Sequence, residues 1–391
     1  MIPRTPLALI LAAALALGAC RNPDAARPAA AERPAAERSA AERSADARPD
    51  EAAAASADLD AAPLPPGVHR GACLAHSYED DGVKGYGSAA SLASKKELAA
   101  LGVDSISLTP FGWQRSLTST QVDFNPNVKA GESDDRIEAE VAQARQLGLK
   151  VIMKPHLWIN YTDWQGHIKP EGGQAGWDSW FESYTRFIVH FAKISERLKL
   201  DALVVGLELA SASHMRERWV AVVDEVRKHY SGPLIYAANW NETHLVAFWD
   251  KVDFIGVQFF APLSDSLTPS LESLTAAAGK QLDEYGALSR KVDKPVILTE
   301  YGYKSIVATA ISPSTWPEHL PPEARNYDEA NQALAYRALL AAAGARPFIH
   351  GVYIWKWFTN VDTDEEGRIG FSPRNKRAAK VVKAAYAPAS P

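Results

Sequence analysis

Cysteine is nearly missing from this chain. Of 391 residues, only Cys20 and Cys73 are cysteine. Cys20 closes a leader-like segment, so one thiol remains, and one thiol forms no internal disulfide. With no helix-paired His and no second Cys, Cys73 reads as buried packing. Excess positive charge is missing too. Lys and Arg number 42 against 47 Asp and Glu, a net charge of −5, which argues against nucleic acid as a partner. After the leader there is no apolar run long enough to cross a bilayer as a helix. No G-x-G-x-x-G turn follows the first candidate strand, where Ala75-His76-Ser77-Tyr78-Glu79 stands instead, so an open dinucleotide-binding sheet is disfavoured. No histidines stand at local ligand spacing such as H-x-x-x-H, and no metal site is expected.

What is present begins with targeting. Arg4 precedes a short apolar run over residues 7–17, and Leu17-Gly18-Ala19-Cys20 follows. A positive flank, a short apolar stretch and small residues make a secretory signal. The small-small-Cys order resembles a bacterial lipobox, in which Cys20 is acylated and becomes the first mature residue. That implies a membrane contact through lipid on Cys20 and a place in the bacterial cell envelope, at the outer membrane or cell surface. Residues 20–66 are rich in Ala, Pro, Glu and Arg with few large apolar residues. They read as a flexible tether, reaching on the order of 40 Å. The expected organisation is a signal peptide over 1–19, a linker over 20–66 and one domain over 67–391.

Within that domain strands and helices alternate. Strands are expected at 70–76, 103–109, 149–156, 202–208, 234–239, 252–258, 296–300 and 350–355. Helices are expected at 92–101, 134–147, 177–198, 217–230, 243–249, 271–288, 330–345 and 376–386. The helix over 134–147 shows the pattern well, with Ile137, Val141, Ala144 and Leu147 on one stripe and Gly148 after it. Strand–helix alternation implies parallel pairing. Eight such units imply an α/β fold of the closed (β/α)8 TIM-barrel type, with its chemistry at the C-terminal ends of the strands.

The residues closing those strands are His76, Thr109, His156, Glu208, Asn239, Gln258, Glu300 and Trp355. The inventory is two carboxylates, two histidines, two amides, a hydroxyl and an aromatic. Glycoside hydrolysis needs one carboxylic acid to protonate a leaving oxygen and one carboxylate to attack the anomeric carbon or activate water. The 11 Trp, 13 Tyr and 12 Phe supply faces for stacking on sugar rings or for core packing.

At these residues the chain resembles the clan A retaining glycoside hydrolases, and glycoside hydrolase family 113 in particular. The resemblance is carried by Lys154-Pro-His-Leu-Trp158, Val205-Gly-Leu-Glu-Leu209, Asp253-Phe-Ile-Gly-Val-Gln-Phe-Phe-Ala-Pro-Leu263, Leu298-Thr-Glu-Tyr-Gly302, Tyr353-Ile-Trp-Lys-Trp357 and Phe371-Ser-Pro-Arg-Asn-Lys376. It implies endo-acting hydrolysis of β-1,4-linked mannan with retention and no cofactor. Glu208 would be the acid/base and Glu300 the nucleophile, with carboxyls roughly 5–5.5 Å apart. Trp355 or Trp357 would lie under the sugar. Lys154, His156, Asn239 and Gln258 would contact hydroxyls, and Tyr301 would border the site. Trp113, Trp158 and Trp240 would serve flanking subsites. The partner would be a β-linked polysaccharide or oligosaccharide, and a monomer is expected. One residue departs from the clan pattern: Leu207 stands where Asn commonly precedes the acid/base. Another β-glycan as substrate, or a glycan-binding barrel without activity, stays open on the sequence.

Overall fold

The computed structural model describes residues 61–128, 131–159, 163–362 and 365–388. Cys20, the signal segment and the linker up to residue 60 lie outside them. The described chain forms a closed eight-stranded parallel barrel surrounded by helices, a TIM barrel as the alternation predicts. The strands are β1 (His69–Ala75), β2 (Ser105–Leu108), β3 (Phe111–Trp113), β4 (Lys150–Met153), β5 (His156–Trp158), β6 (Ala202–Leu207), β7 (Leu234–Asn239), β8 (Phe254–Phe259), β9 (Val296–Tyr301) and β10 (Ile349–Phe358). The barrel closes in the order β1-β10-β9-β8-β7-β6-β4-β2, and β3 and β5 pair as a separate ribbon.

The ribbon divides what the sequence presents as single strands. Pro110 follows β2 and Pro155 follows β4. Each lacks an N–H for the ladder, so the barrel strand ends there. The chain then resumes as β3 and β5, in parallel register Phe111–His156, Gly112–Leu157 and Trp113–Trp158.

The α-helices among the described residues are α1 (Ala89–Ala100), α2 (Asp134–Gln146), α3 (Gln174–Arg197), α4 (Arg216–Arg227), α5 (Leu271–Val292), α6 (Glu329–Gly344) and α7 (Arg377–Ala385). The helix expected over 243–249 is not formed. Turns and a 3-10 segment, Trp249–Lys251, connect β7 to β8. The Glu242 carboxylate accepts from the Asn239 N–H at 2.9 Å and the Tyr236 hydroxyl at 2.6 Å, which fixes a turn where a helix would start.

Two apolar clusters hold the fold. The larger lies between strands and helices. Its α3 portion, Trp177, Trp180, Phe181, Tyr184, Phe187 and Phe191, repeats at helical spacing and is buried. Much of the aromatic content therefore packs a helix instead of lining the mouth. The smaller cluster, with Cys73, Ile152, Val204, Leu207, Ile235, Ala237, Ile297 and Tyr353, fills the barrel interior. Leu64, within the stretch read as linker, is buried and donates its N–H to Ala385 O at 2.8 Å.

Candidate active site

Glu208 and Glu300 each follow a break in strand alternation. In β6 the pairing with β7 skips Val205, passing from Val204–Ile235 to Gly206–Tyr236. This bulge turns the Gly206 Cα toward Trp219 of α4 and puts Leu207 in the barrel interior. Glu208 then takes a positive φ of 51°, an uncommon conformation for a residue with a side chain. Its N–H donates to Ala237 O at 2.9 Å, and the next N–H, of Leu209, to Tyr236 Oη at 3.3 Å. In β9 the pairing with β8 skips Thr299, so that Gln258 faces Glu300.

The Glu208 carboxylate is buried. Trp164 Nε1 and Gln165 Nε2 donate to its Oε2, at 2.7 and 3.0 Å. Burial raises its pKa, and the bonds from Trp164 and Gln258 and the charge of Lys154 oppose the rise.

Glu300 is also buried and is pushed up to about 7. Burial is the main cause, Lys154 opposes it, and the Glu208 charge adds to it. Lys154 Nζ pairs with Glu300 Oε1 and also reaches Cys73 Sγ at 3.2 Å and Thr299 O at 3.3 Å. The Cys73 thiol is itself pushed to about 11 by burial, so it is no thiolate at neutral pH. His156 Nε2 stands 3.6 Å from the same Glu300 oxygen. Burial and the two lysines, Lys154 and Lys356, hold its pKa well below the usual imidazole range. The ring is therefore neutral, and it stacks on Trp355 with centroids 5.5 Å apart and planes at 15°. Lys154 and Lys356 each place Nζ 5.1 Å from the Trp355 ring centroid, and Lys356 pairs with Glu366 at 2.9 Å.

Three polar atoms here are buried without a hydrogen-bond partner: His156 Nε2, Asn239 Oδ1 and Gln258 Oε1. Asn239, Gln258 and Glu300 follow one another across β7, β8 and β9 in register. Orphaned buried polar atoms are costly, and a ligand rich in hydroxyls would satisfy them. Among the described residues no group of three or more His, Cys, Asp or Glu side chains could hold a metal ion.

The sequence model of Glycoside Hydrolase Family 113 matches residues 77–371. The chain belongs to this family. It is a glycoside hydrolase, and solved family 113 structures superpose on it. One, a β-1,4-mannanase in a complex, is 26% identical with a TM-score of 0.71, covering 82% of this chain and 98% of its own. A second β-1,4-mannanase structure is 25% identical with a TM-score of 0.69, covering 84% and 98%. The β-mannanase AaManA from Alicyclobacillus acidocaldarius, in complex with ManMIm, is 24% identical with a TM-score of 0.71, covering 82% and 97%. Among proteins of curated function, none matches the sequence.

The family 113 barrel brings together Glu208, Glu300, Lys154, His156, Gln258, Asn239 and Trp355. It does not bring Tyr301 or Trp357 to the mouth. Tyr301 is fully buried, with its ring against Tyr336 of α6 and its hydroxyl 3.1 Å from that of Tyr386. The bulge at Thr299 turns Glu300 inward and Tyr301 outward. Trp357 is buried against α1, its Nε1 donating to Ser94 Oγ at 2.9 Å, because the β1–β10 register shifts between Ile354 and Trp357. Trp240 packs toward α5, whose Tyr285 hydroxyl donates to its carbonyl at 2.9 Å, and it lines a surface groove there. Lys154 is spent on Glu300, Cys73 and Thr299 and is 1% exposed, so it faces the Glu300 carboxylate and not the open mouth. Trp113 and Trp158 sit side by side on the ribbon, 36% and 40% exposed. Sequence reasoning gave no site role to Trp164, Gln165 or Lys356. No local pattern ties Trp164 and Gln165 to a glutamate on the next barrel strand.

Proposed function

We propose that this family 113 enzyme hydrolyses β-1,4-linked mannan chains internally, with retention. The observation that carries the reading is the pairing of two buried carboxylates, each raised by burial, with only one of them held by an ammonium. The contact with Lys154 favours the ionised form of Glu300. Burial lifts Glu300 to about 7, but the ammonium of Lys154 pairs with Glu300 and not with Glu208, and on that geometry the shared proton is assigned to Glu208.

In the first step a Glu300 oxygen bonds to the anomeric carbon as the glycosidic C–O bond breaks. Glu208 gives its proton to the departing oxygen, leaving a glycosyl ester on Glu300 and an ionised Glu208. In the second step Glu208 takes a proton from water, the water oxygen bonds to the anomeric carbon, and Glu300 leaves as a carboxylate. A carboxyl spacing of roughly 5–5.5 Å belongs to this proposal. Trp355 would lie under the sugar, with His156, Asn239 and Gln258 toward its hydroxyls. Trp113 and Trp158 would stack on sugars further along the chain, which suits internal cleavage. The mannan assignment draws on the β-1,4-mannanases that superpose on the barrel. The apolar Leu207 leaves the 2-hydroxyl contact to another group, for which Asn239 is the candidate.

The test is release of reducing ends from mannan, glucomannan, xylan and cellulose, with the first product's anomer read by NMR. Release from the mannans as the β anomer, abolished in Glu300→Gln, is the expected result. Release from xylan or cellulose alone would move the enzyme to another β-glycan, and no release from any would favour a glycan-binding barrel. We also infer that Cys20 carries a lipid that holds the enzyme at the cell envelope. A Cys20→Ser protein that stayed with the membrane fraction would refute this.

A further inference from the structure

We propose that Trp164 and Gln165 are positioning residues that fix which oxygen of Glu208 carries the transferable proton. This rests on the reading of Glu208 as the acid/base. Both side chains donate to one oxygen, Oε2. An indole N–H and an amide N–H cannot accept, so a hydrogen on Oε2 would compete with two donors for that oxygen. The neutral acid therefore carries its hydrogen on Oε1. When Oε1–H passes its proton to the glycosidic oxygen, the negative charge left behind is already met at Oε2 by two N–H groups. In the second step Oε1 takes the proton back from water, and Oε2 keeps both bonds throughout.

The segment that delivers the two donors is pinned in place. Gly166 O accepts from the Ser211 N–H at 3.1 Å, just beyond Glu208. Lys169 N–H and Glu171 N–H donate to Leu117 O and Thr118 O, at 2.8 and 2.9 Å. The Trp164 ring lies flush against Gly166, where a Cβ would come within 2.3 Å of it. His167 meets the indole in an edge-on contact at a centroid distance of 5.0 Å. Glycine at 166 is thus a condition for the indole to reach Glu208. The charged or titratable groups acting on this carboxyl from other elements are Lys154 after β4, Glu300 on β9 and Glu242 after β7. None of them touches Oε2, so the two donors can be varied apart from them.

The experiment compares Trp164→Phe, Gln165→Leu and Gly166→Ala in the full chain. Each is assayed on polymer and on an aryl glycoside of the same sugar with a dinitrophenolate leaving group, which needs no proton. On polymer we expect kcat/KM to fall on the order of 10- to 100-fold. The alkaline limb of its pH profile should move upward, because Oε2 has lost donors that favour the ionised form. On the aryl glycoside kcat/KM should stay within about threefold of wild type. Equal losses on both substrates with an unmoved alkaline limb would overturn the proposal. Gln165→Leu removes only a partly exposed amide, so it keeps the test open if a tryptophan variant fails to fold. Azide rescue separates the two ideas. If azide does not rescue cleavage of the aryl glycoside by a Glu208→Ala companion, the acid/base reading itself fails. If azide rescues it while the Trp164 and Gln165 variants match wild type, only the positioning role fails.

Discussion

Lys154 and Glu300 form an ion pair in which the two side chains are only 1% and 4% exposed. Removing one partner of such a pair leaves a buried charge uncompensated, at a cost of roughly 3–5 kcal/mol. For Lys154→Met the missing ammonium also raises the Glu300 pKa, which burial already holds at about 7. The acid limb of kcat/KM reports protonation of this carboxylate. It should therefore shift to higher pH, with activity lost earlier on acidification. At the optimum we expect a fall on the order of 100-fold, as for one preorganised electrostatic contact. A pH–rate profile beside a thermal melt checks both parts.

Trp355 and Trp357 lie two residues apart and should behave differently. Trp355→Ala removes the face on which His156 stacks and which the sugar would meet. It should lower kcat/KM at least about tenfold, equivalent to roughly 1.4 kcal/mol. Trp357→Phe loses the bond to Ser94 and should cost about 1 kcal/mol of stability with kinetics near wild type. Matching kinetic losses in the two variants would count against the placement of Trp357 outside the mouth.

Glu242 offers a pH-dependent stability test. Burial pushes its pKa to about 7 despite bonds from Tyr236 and Asn239, against about 4.3 in an unfolded chain. The folded protein holds this proton more tightly, so its contribution is fully present below about pH 4.3 and fades as pH rises through about 7. Gln does not titrate. The melting-temperature difference between wild type and Glu242→Gln should accordingly shrink between those values. A constant difference across a pH series of melts would contradict the raised pKa.

Gly302 follows β9 directly, and a Cβ there would lie 2.1 Å from Trp355 O and 3.2 Å from the Phe371 ring. Backbone at that distance has to move. Gly302→Ala should cost about 1–3 kcal/mol and displace the Trp355 platform, raising KM as well as lowering kcat. Unchanged steady-state kinetics would show that the platform tolerates the shift.

The barrel was legible because apolar strand runs and amphipathic helices alternate eight times, and polar residues close the strands. Glu208 and Glu300 stood out as the two carboxylates among the residues closing the strands, and the roles expected of them came from the family resemblance. Orientation was harder to read. Side-chain alternation resets at Val205 in β6, at Thr299 in β9 and between Ile354 and Trp357 in β10. A period-two pattern carried through those points sends Tyr301 and Trp357 to the wrong face. The helix over 243–249 failed for a related reason, since a buried hydrogen-bonding role for Glu242 overrides local propensity. The Trp164–Glu208 contact spans 44 positions and depends on how a loop folds back, which no spacing encodes.

The ribbon of β3 and β5 has a mechanical consequence. Each of its strands continues a barrel strand past a proline, so the residue that anchors Glu300, Lys154, and the tryptophan at the rim, Trp158, belong to one short stretch of extended backbone. Loops elsewhere can lengthen or shorten without sliding that wall relative to the catalytic floor. Grip on the polymer and alignment of the carboxylates are therefore expected to fail together on heating, in one transition, with no intermediate temperature range at which the enzyme cuts but no longer holds.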